Sequence, residues 1–286
     1  ALARPLPVRP GATVEVAPSR VSRMTATGEV SAGPREPSYL PLDTSSYVYV
    51  GGPIIGGTTW SAHREGPPTS LLSVERDIGD PMRFRCIVGE PGMPASGSVQ
   101  RAELSSDGAG NYPFTRGTTY WWSFAFRMYG SPPSESGGWM NICQAHQTPD
   151  ASDLEGPQPF GFYWMASGNL VATRRYDPNA TTTGASFTSV DATGPTLVPD
   201  VWHRVVLRLR FDNGATSTGS LGVWFDGAPI VDVNNVPFGY NDTAHLYPKF
   251  GIYRGIGSGV NVAEFAAVEI GTNNLSSRVG SPLKIP

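Results

Sequence analysis

Apolar and polar residues alternate in short runs along most of the chain, with a period of two. In His203–Phe211, the odd-numbered positions His203, Val205, Leu207, Leu209 and Phe211 fall on one face, and Arg204, Arg208 and Arg210 on the other. That is the alternation of a strand with one buried face. The same pattern recurs in SYVYV, SLLSVERD, MRFRCIV, SVQRAELSS, TTYWWSFAFRMY, WMNICQAHQ, FGFYWMA, NLVATRRY, LGVWFDGAPIV, YPKFGIYR and VAEFAAVEI. Within VWFDGAPIV, Asp226-Gly227 is a two-residue hairpin signal. No long amphipathic helix and no internal repeat interrupt the series. About a dozen strands without helices predict two packed antiparallel sheets. The expected fold is therefore all-β: a two-sheet antiparallel sandwich or β-jelly roll whose concave sheet offers a groove.

Composition refines this picture. With 286 residues the chain is long enough for one large β domain, and 34 Gly and 27 Pro suit many turns. Residues 1–45 lack the alternation and are rich in Pro, Ala, Arg and Ser, which predicts an extended arm or linker. Residues 46–286 form the β domain. No apolar run approaches the roughly 18 residues needed to span a bilayer. The net charge of −3 gives no global attraction for nucleic acid, so any polyanion site must be a local patch. Arginine outnumbers lysine 19 to 2, which makes Lys249 conspicuous. Cys86 and Cys143 both lie at core-facing positions, as two buried thiols or as one disulfide suited to an exported protein. No Cys/His spacing suggests a metal site. The first residue is Ala1, which fits a removed leader or a cloned fragment.

Three runs place polar pairs on one face. Arg101 and Glu103 are two apart, with Ala102 and Leu104 on the opposite face; Gln144 and His146 are two apart, with Cys143 and Ala145 inward. In YPKFGIYRG, Tyr247, Lys249, Gly251 and Tyr253 share a face while Phe250 and Ile252 point to the core. Any one pair is ordinary on a half-exposed strand, and an exposed Arg101–Glu103 pair contributes little. If the three strands are neighbours, six polar side chains meet over one patch.

The trio resembles the signature strands of jelly-roll alginate lyases, which read Arg-Ser/Thr-Glu-Leu, Gln-Ile/Val-His and Tyr-Phe-Lys-Ala-Gly-x-Tyr. Here they read Arg101-Ala-Glu103-Leu104, Gln144-Ala-His146 and Tyr247-Pro-Lys249-Phe-Gly251-Ile-Tyr253, in the same order. After Tyr253 comes Arg254-Gly255 rather than Asn-Gln, and KFGIYRG is closer to heparin lyase I-like and glucuronan lyase proteins. The resemblance implies a secreted or extracytoplasmic polysaccharide lyase, endo-acting, that breaks an acidic, uronate-containing polymer by β-elimination. It implies that Arg101 and Gln144 neutralise the uronate carboxylate as charge builds at C5. Glu103 would orient Arg101 at the substrate. Tyr253 would protonate the leaving oxygen, and either Tyr253 or His146 would take the C5 proton, according to the sugar's configuration. Lys249 would supply positive potential and Gly251 room for a ring. Tyr247 and Arg254 would contact substrate, with Trp139, Arg174 and Arg175 as further lining candidates. Elimination requires no cofactor; some such enzymes use calcium, but no acidic loop here has a ligand pattern for it.

Three other readings compete. A hydrolase on this fold needs paired carboxylates on one strand, and after Glu103 only Ser105 and Asp107 follow at the right parity. A non-catalytic carbohydrate-binding module would need the aromatics and Arg but not Tyr253 with His146. A phage or envelope structural protein would suit the Pro-rich arm. Among the remaining histidines, His63 and His245 read as loop residues and His203 as a core residue.

Overall fold

In a computed structural model, the chain separates into two compact units, Ala1–Ser38 and Tyr39–Pro286. Backbone and side chains are described for residues 85–89, 99–106, 114–133, 138–153, 156–184, 186–243, 246–257 and 259–283. Strands from residue 23 to 84 are described by backbone pairing alone. The first unit contains one antiparallel pair, β1 (Arg23–Met24) with β2 (Val30–Ser31).

The second unit begins with β3 (Tyr39–Pro41), β4 (Tyr47–Tyr49), β5 (Thr59–Arg64), β6 (Leu71–Val74), β7 (Phe84–Val88) and β8 (Val99–Ser105). Next come β9 (Thr119–Tyr129), β10 (Trp139–His146), β11 (Phe160–Met165), β12 (Asn169–Tyr176), β13 (Thr188–Thr196) and β14 (His203–Arg210). It ends with β15 (Gly219–Phe225), β16 (Ala228–Val236), β17 (Tyr247–Gly255), β18 (Asn261–Gly271) and a short 3-10 turn, Ser276–Arg278. These strands form two antiparallel sheets, in the order β13-β12-β11-β10-β17-β8-β5-β4 and β16-β15-β14-β9-β18-β7-β6-β3. The molecule is the expected all-β jelly-roll sandwich, and consecutive strands repeatedly switch sheets.

The inward faces make one core. Trp122, Phe124 and Phe126 of β9 meet Phe160 and Phe162 of β11, Phe250 of β17 and Phe265 of β18. On β14, Val205, Leu207 and Leu209 are buried as the alternation requires. His203 is buried too, between Phe126 and Phe225, with its ring nitrogens at the Asp226 carboxylate (2.7 Å) and the Val198 carbonyl (2.8 Å). Val206 breaks the pattern on the Arg face of β14. It is buried with Trp121 and Leu275 because the C-terminal segment covers that patch. Asp226 and Gly227 both have positive φ, 47° and 86°, the conformation an Asp-Gly hairpin turn requires.

Five strands escape the sequence pattern: β1, β2 and β3, which fall in the stretch read as an arm, and β5 and β13. Nearly every position of β13 is solvent-accessible, so this edge strand shows no apolar alternation. His63 accordingly lies on a strand rather than in a loop: it pairs with Glu103 through β5 and β8. Its side chain, like His245 and Asp107, lies outside the described residues. Cys86 and Cys143 are free, fully buried thiols rather than a disulfide. Burial, and then the Glu103 charge, hold both well above the usual thiol range.

Candidate active site

The three motif strands are adjacent, in the order β10-β17-β8. Arg101 pairs with Tyr253, Glu103 with Gly251, Gln144 with Lys249, and His146 with Tyr247. Residues paired across antiparallel strands point to the same face, so all these side chains share the outer face of one sheet.

On β10 this depends on an irregularity. Strict alternation starting from Trp139 would turn Gln144 and His146 into the core. The register shifts between Asn141 and Cys143, and Ile142 and Cys143 both point inward. The extra step returns Gln144 and His146 to the face that Trp139 occupies, as a β-bulge re-aims side chains.

A cleft of about 660 Å³ opens on this face. Arg101, Gln144, His146, Tyr247, Lys249 and Tyr253 line it together with Trp139. The Arg101 guanidinium lies 4.5 Å from the centre of the Tyr253 ring, and Trp139 packs edge-on against that ring at 5.0 Å. Glu103 lies beneath. It is wholly buried, receives a 2.6 Å hydrogen bond from Gln144 Nε2, and has Arg101 Nε at 3.6 Å from its other oxygen. Glu103 thus orients Arg101 from below, as expected, and Gln144 with it, but its burial keeps it from contacting a substrate itself.

His146 Nδ1 is 2.8 Å from the Gln147 carbonyl. A carbonyl only accepts, so Nδ1 carries the proton in the neutral ring and Nε2 the lone pair. Tyr247 stacks on the imidazole at 5.3 Å, with its hydroxyl 3.2 Å from Nδ1 and the Lys249 ammonium 5.4 Å from its ring centre. Its ring is 7% exposed, so it braces His146 more than it offers a platform to a sugar.

Arg254 is a second correction. It is 1% exposed and follows Phe250 and Ile252 to the inner face. There it donates to Gln100 Oε1 (2.9 Å), the Gly259 carbonyl (2.8 Å) and Asn261 Oδ1, tying the loop after β17 to β8. Gly251 is a third. Its φ is +144°, and a Cβ there would strike the Ala102 carbonyl oxygen and Glu103 Cα. Close approach to β8 requires this glycine, rather than room for a ring. Arg174 also turns away, donating to the Pro237 carbonyl.

The cleft extends further than the motifs suggest. Beyond β10 it is lined by Pro157, Gln158, Tyr163 and Met165, then by Val171, Thr173 and Arg175 of β12 and Asp191 of β13. Arg175 reaches the Tyr163 hydroxyl (3.2 Å), the Gln158 carbonyl (2.8 Å) and Ser189 Oγ (3.0 Å). Tyr163 and Met165 share a parity on β11, a signal present in the sequence; Asp191 on the exposed edge had none. Among the described residues, no three His, Cys, Asp or Glu side chains are placed to hold a metal, and no helix is long and apolar enough to cross a membrane.

Known proteins share this fold. Among solved structures, an endo-β-1,4-glucuronan lyase from the fungus Trichoderma reesei is similar over 81% of this chain and 96% of its own, with TM-score 0.59 and 19% identity. A family 7 alginate lyase, A1-II′, solved with a product, is similar over 74% and 94%, with TM-score 0.51 and 16% identity. At these identities the likeness shows the fold. A search of curated protein sequences gives no match. The family model described as polysaccharide lyase matches residues 61–271. The chain thus belongs to the polysaccharide lyase family.

Proposed function

We propose that the protein cleaves a uronate-containing polysaccharide by β-elimination, and that the cleft over β8, β17 and β10 is where it does so. The observation that carries this reading is the convergence of Arg101, Gln144, His146, Lys249 and Tyr253 on one cleft, with Glu103 holding two of them from beneath. The chemistry follows from electrostatics. Taking the C5 proton beside an anionic carboxylate builds further negative charge, so donors must already be in place. Arg101 offers a planar two-pronged donor, Gln144 a second N–H, and Lys249 positive potential.

His146 Nε2 and the Tyr253 hydroxyl are the two groups able to move protons. With a sugar whose C5 hydrogen lies opposite the leaving oxygen, His146 takes the proton and Tyr253 delivers one to the glycosidic oxygen at C4. With both on one side, Tyr253 does both. The C4–O bond breaks, a C4=C5 double bond forms and no water is consumed. The cleft runs across the strands from β8 to β13, which suits internal cleavage of a polymer. A polymeric substrate also suits action outside the cytoplasm.

A glycoside hydrolase needs two carboxyl groups about 5–9.5 Å apart. Among the described residues, Asp191 is the one carboxylate lining the cleft. Glu103 is five strand spacings away, on the order of 24 Å. The test is ultraviolet absorbance with polymannuronate, polyguluronate, glucuronan, hyaluronan and heparin. At least one should yield an unsaturated uronide, and Tyr253→Phe should keep binding while losing about 10²–10⁴-fold in turnover. No unsaturated product from any polymer between about pH 5 and 10, around the range in which His and Tyr side chains titrate, would leave a binding module as the better reading.

A further inference from the structure

The far end of the cleft differs chemically from the motif end. Cross-strand pairing defines one row over the sheet: Asp191, Thr173, Gly161, Gln144 and Lys249. Strands lie about 4.8 Å apart, close to the length of one 1,4-linked pyranose. A polysaccharide lying across the strands therefore advances about one sugar per strand. Asp191 is three strands from Gln144, about 14 Å.

What waits at that position is a carboxylate. Asp191 is exposed, and Thr173 Oγ1 donates to one of its oxygens at 2.7 Å. A uronate placed there would meet a like charge. Arg175 does not offer a two-pronged seat in compensation, because its guanidinium is already donating to Tyr163, Gln158 and Ser189. The formal charges of Arg175 and Asp191 cancel, whereas Arg101 and Lys249 line the other end. Val171 and Met165 add apolar surface beside Asp191. A carboxylate acceptor next to such surface suits the hydroxyls and C–H face of an uncharged pyranose.

We infer that the β11–β13 end is a subsite for a neutral sugar, read by Asp191 and Thr173, and that the preferred substrate carries uncharged residues among its uronates. This rests on the elimination reading above for the position of the reacting unit.

The test uses the full chain carrying Tyr253→Phe, so that binding is read without turnover, with and without Asp191→Asn. Two probes are titrated calorimetrically: a glucuronate hexamer, and a hexamer alternating glucuronate with N-acetylglucosamine. The inference predicts that Asp191→Asn tightens the all-uronate probe by about three-fold at low ionic strength, with the gain shrinking in high salt. It predicts a loss of similar size for the alternating probe. Unchanged affinity for both probes, or tighter binding of the all-uronate hexamer by the chain with Asp191 intact, would overturn it. KM for the two polymers, with and without Asp191→Asn in the Tyr253-containing enzyme, gives the same discrimination if Tyr253→Phe folds poorly. Failure of the elimination reading appears separately, as absence of unsaturated product, whatever Asp191 does.

Discussion

Glu103 makes its contribution without facing the cleft. Its charge is buried between the Gln144 amide and the Arg101 guanidinium, so it fixes where both donors stand. A donor displaced by about 1 Å costs on the order of 10²-fold in rate. Glu103→Gln, nearly the same shape, should therefore keep the fold and lower kcat by about that factor, with KM changed less. Equal losses of stability and activity, seen in parallel urea melts and kinetics, would mean that Glu103 serves only the fold. At this scale parity was enough to put Arg101, Gln144, His146, Lys249 and Tyr253 on the face that lines the cleft. Arg254 shows what happens when parity and charge disagree. Its charge suggested the cleft, its parity the interior, and parity prevailed because Gln100, Asn261 and loop carbonyls satisfy the guanidinium.

Among the elements, β10 and β17 set the geometry of the site. The shift at Ile142 lets Trp139 and Gln144 share a face, and Gly251 lets β17 lie tightly against β8. Gly251→Ala puts a Cβ into the Ala102 carbonyl oxygen and Glu103 Cα at a φ that L residues avoid. It should destabilise by at least about 1–3 kcal/mol, and it should misplace Glu103, so that activity falls below what the remaining folded fraction explains. A neutral effect in urea titration would show that β17 can adopt another φ there. The regular strands were legible because one face is buried. The shift in β10 was not, since an extra apolar residue among apolar residues leaves no mark. The edge strand β13 was not, since nothing on it is deeply buried, and Asp191 went unseen with it.

Across the whole molecule, the sheet opposite the cleft carries its own buried charge. Glu264 accepts from Arg85 Nε (2.9 Å), Arg127 Nε (3.0 Å) and the Tyr129 hydroxyl (2.9 Å), joining β7, β18 and β9. Burial alone would push its carboxyl up; the hydrogen bonds and charges of Arg85 and Arg127 outweigh that and hold it at about 2. The folded-state value lies below the unfolded one, so this stabilisation is complete above about pH 4.5 and is lost as pH falls toward about 2. The urea midpoint should drop over that window, and Glu264→Gln should flatten this part of the profile while starting lower at neutral pH. An unaltered acid limb in Glu264→Gln would remove the triad from the account of acid stability.

The jelly roll brings three short sequence motifs into one cleft, and the proposed reaction there breaks a glycosidic bond without consuming water. Digestion of a cleaved uronate polymer in ¹⁸O-labelled water, followed by mass spectrometry of the fragments, tests this most directly. Elimination predicts fragments with no label fixed at the cut, each non-reducing end lighter than a hydrolysis product by one water. Incorporation of one ¹⁸O per cut, with saturated ends, would contradict it.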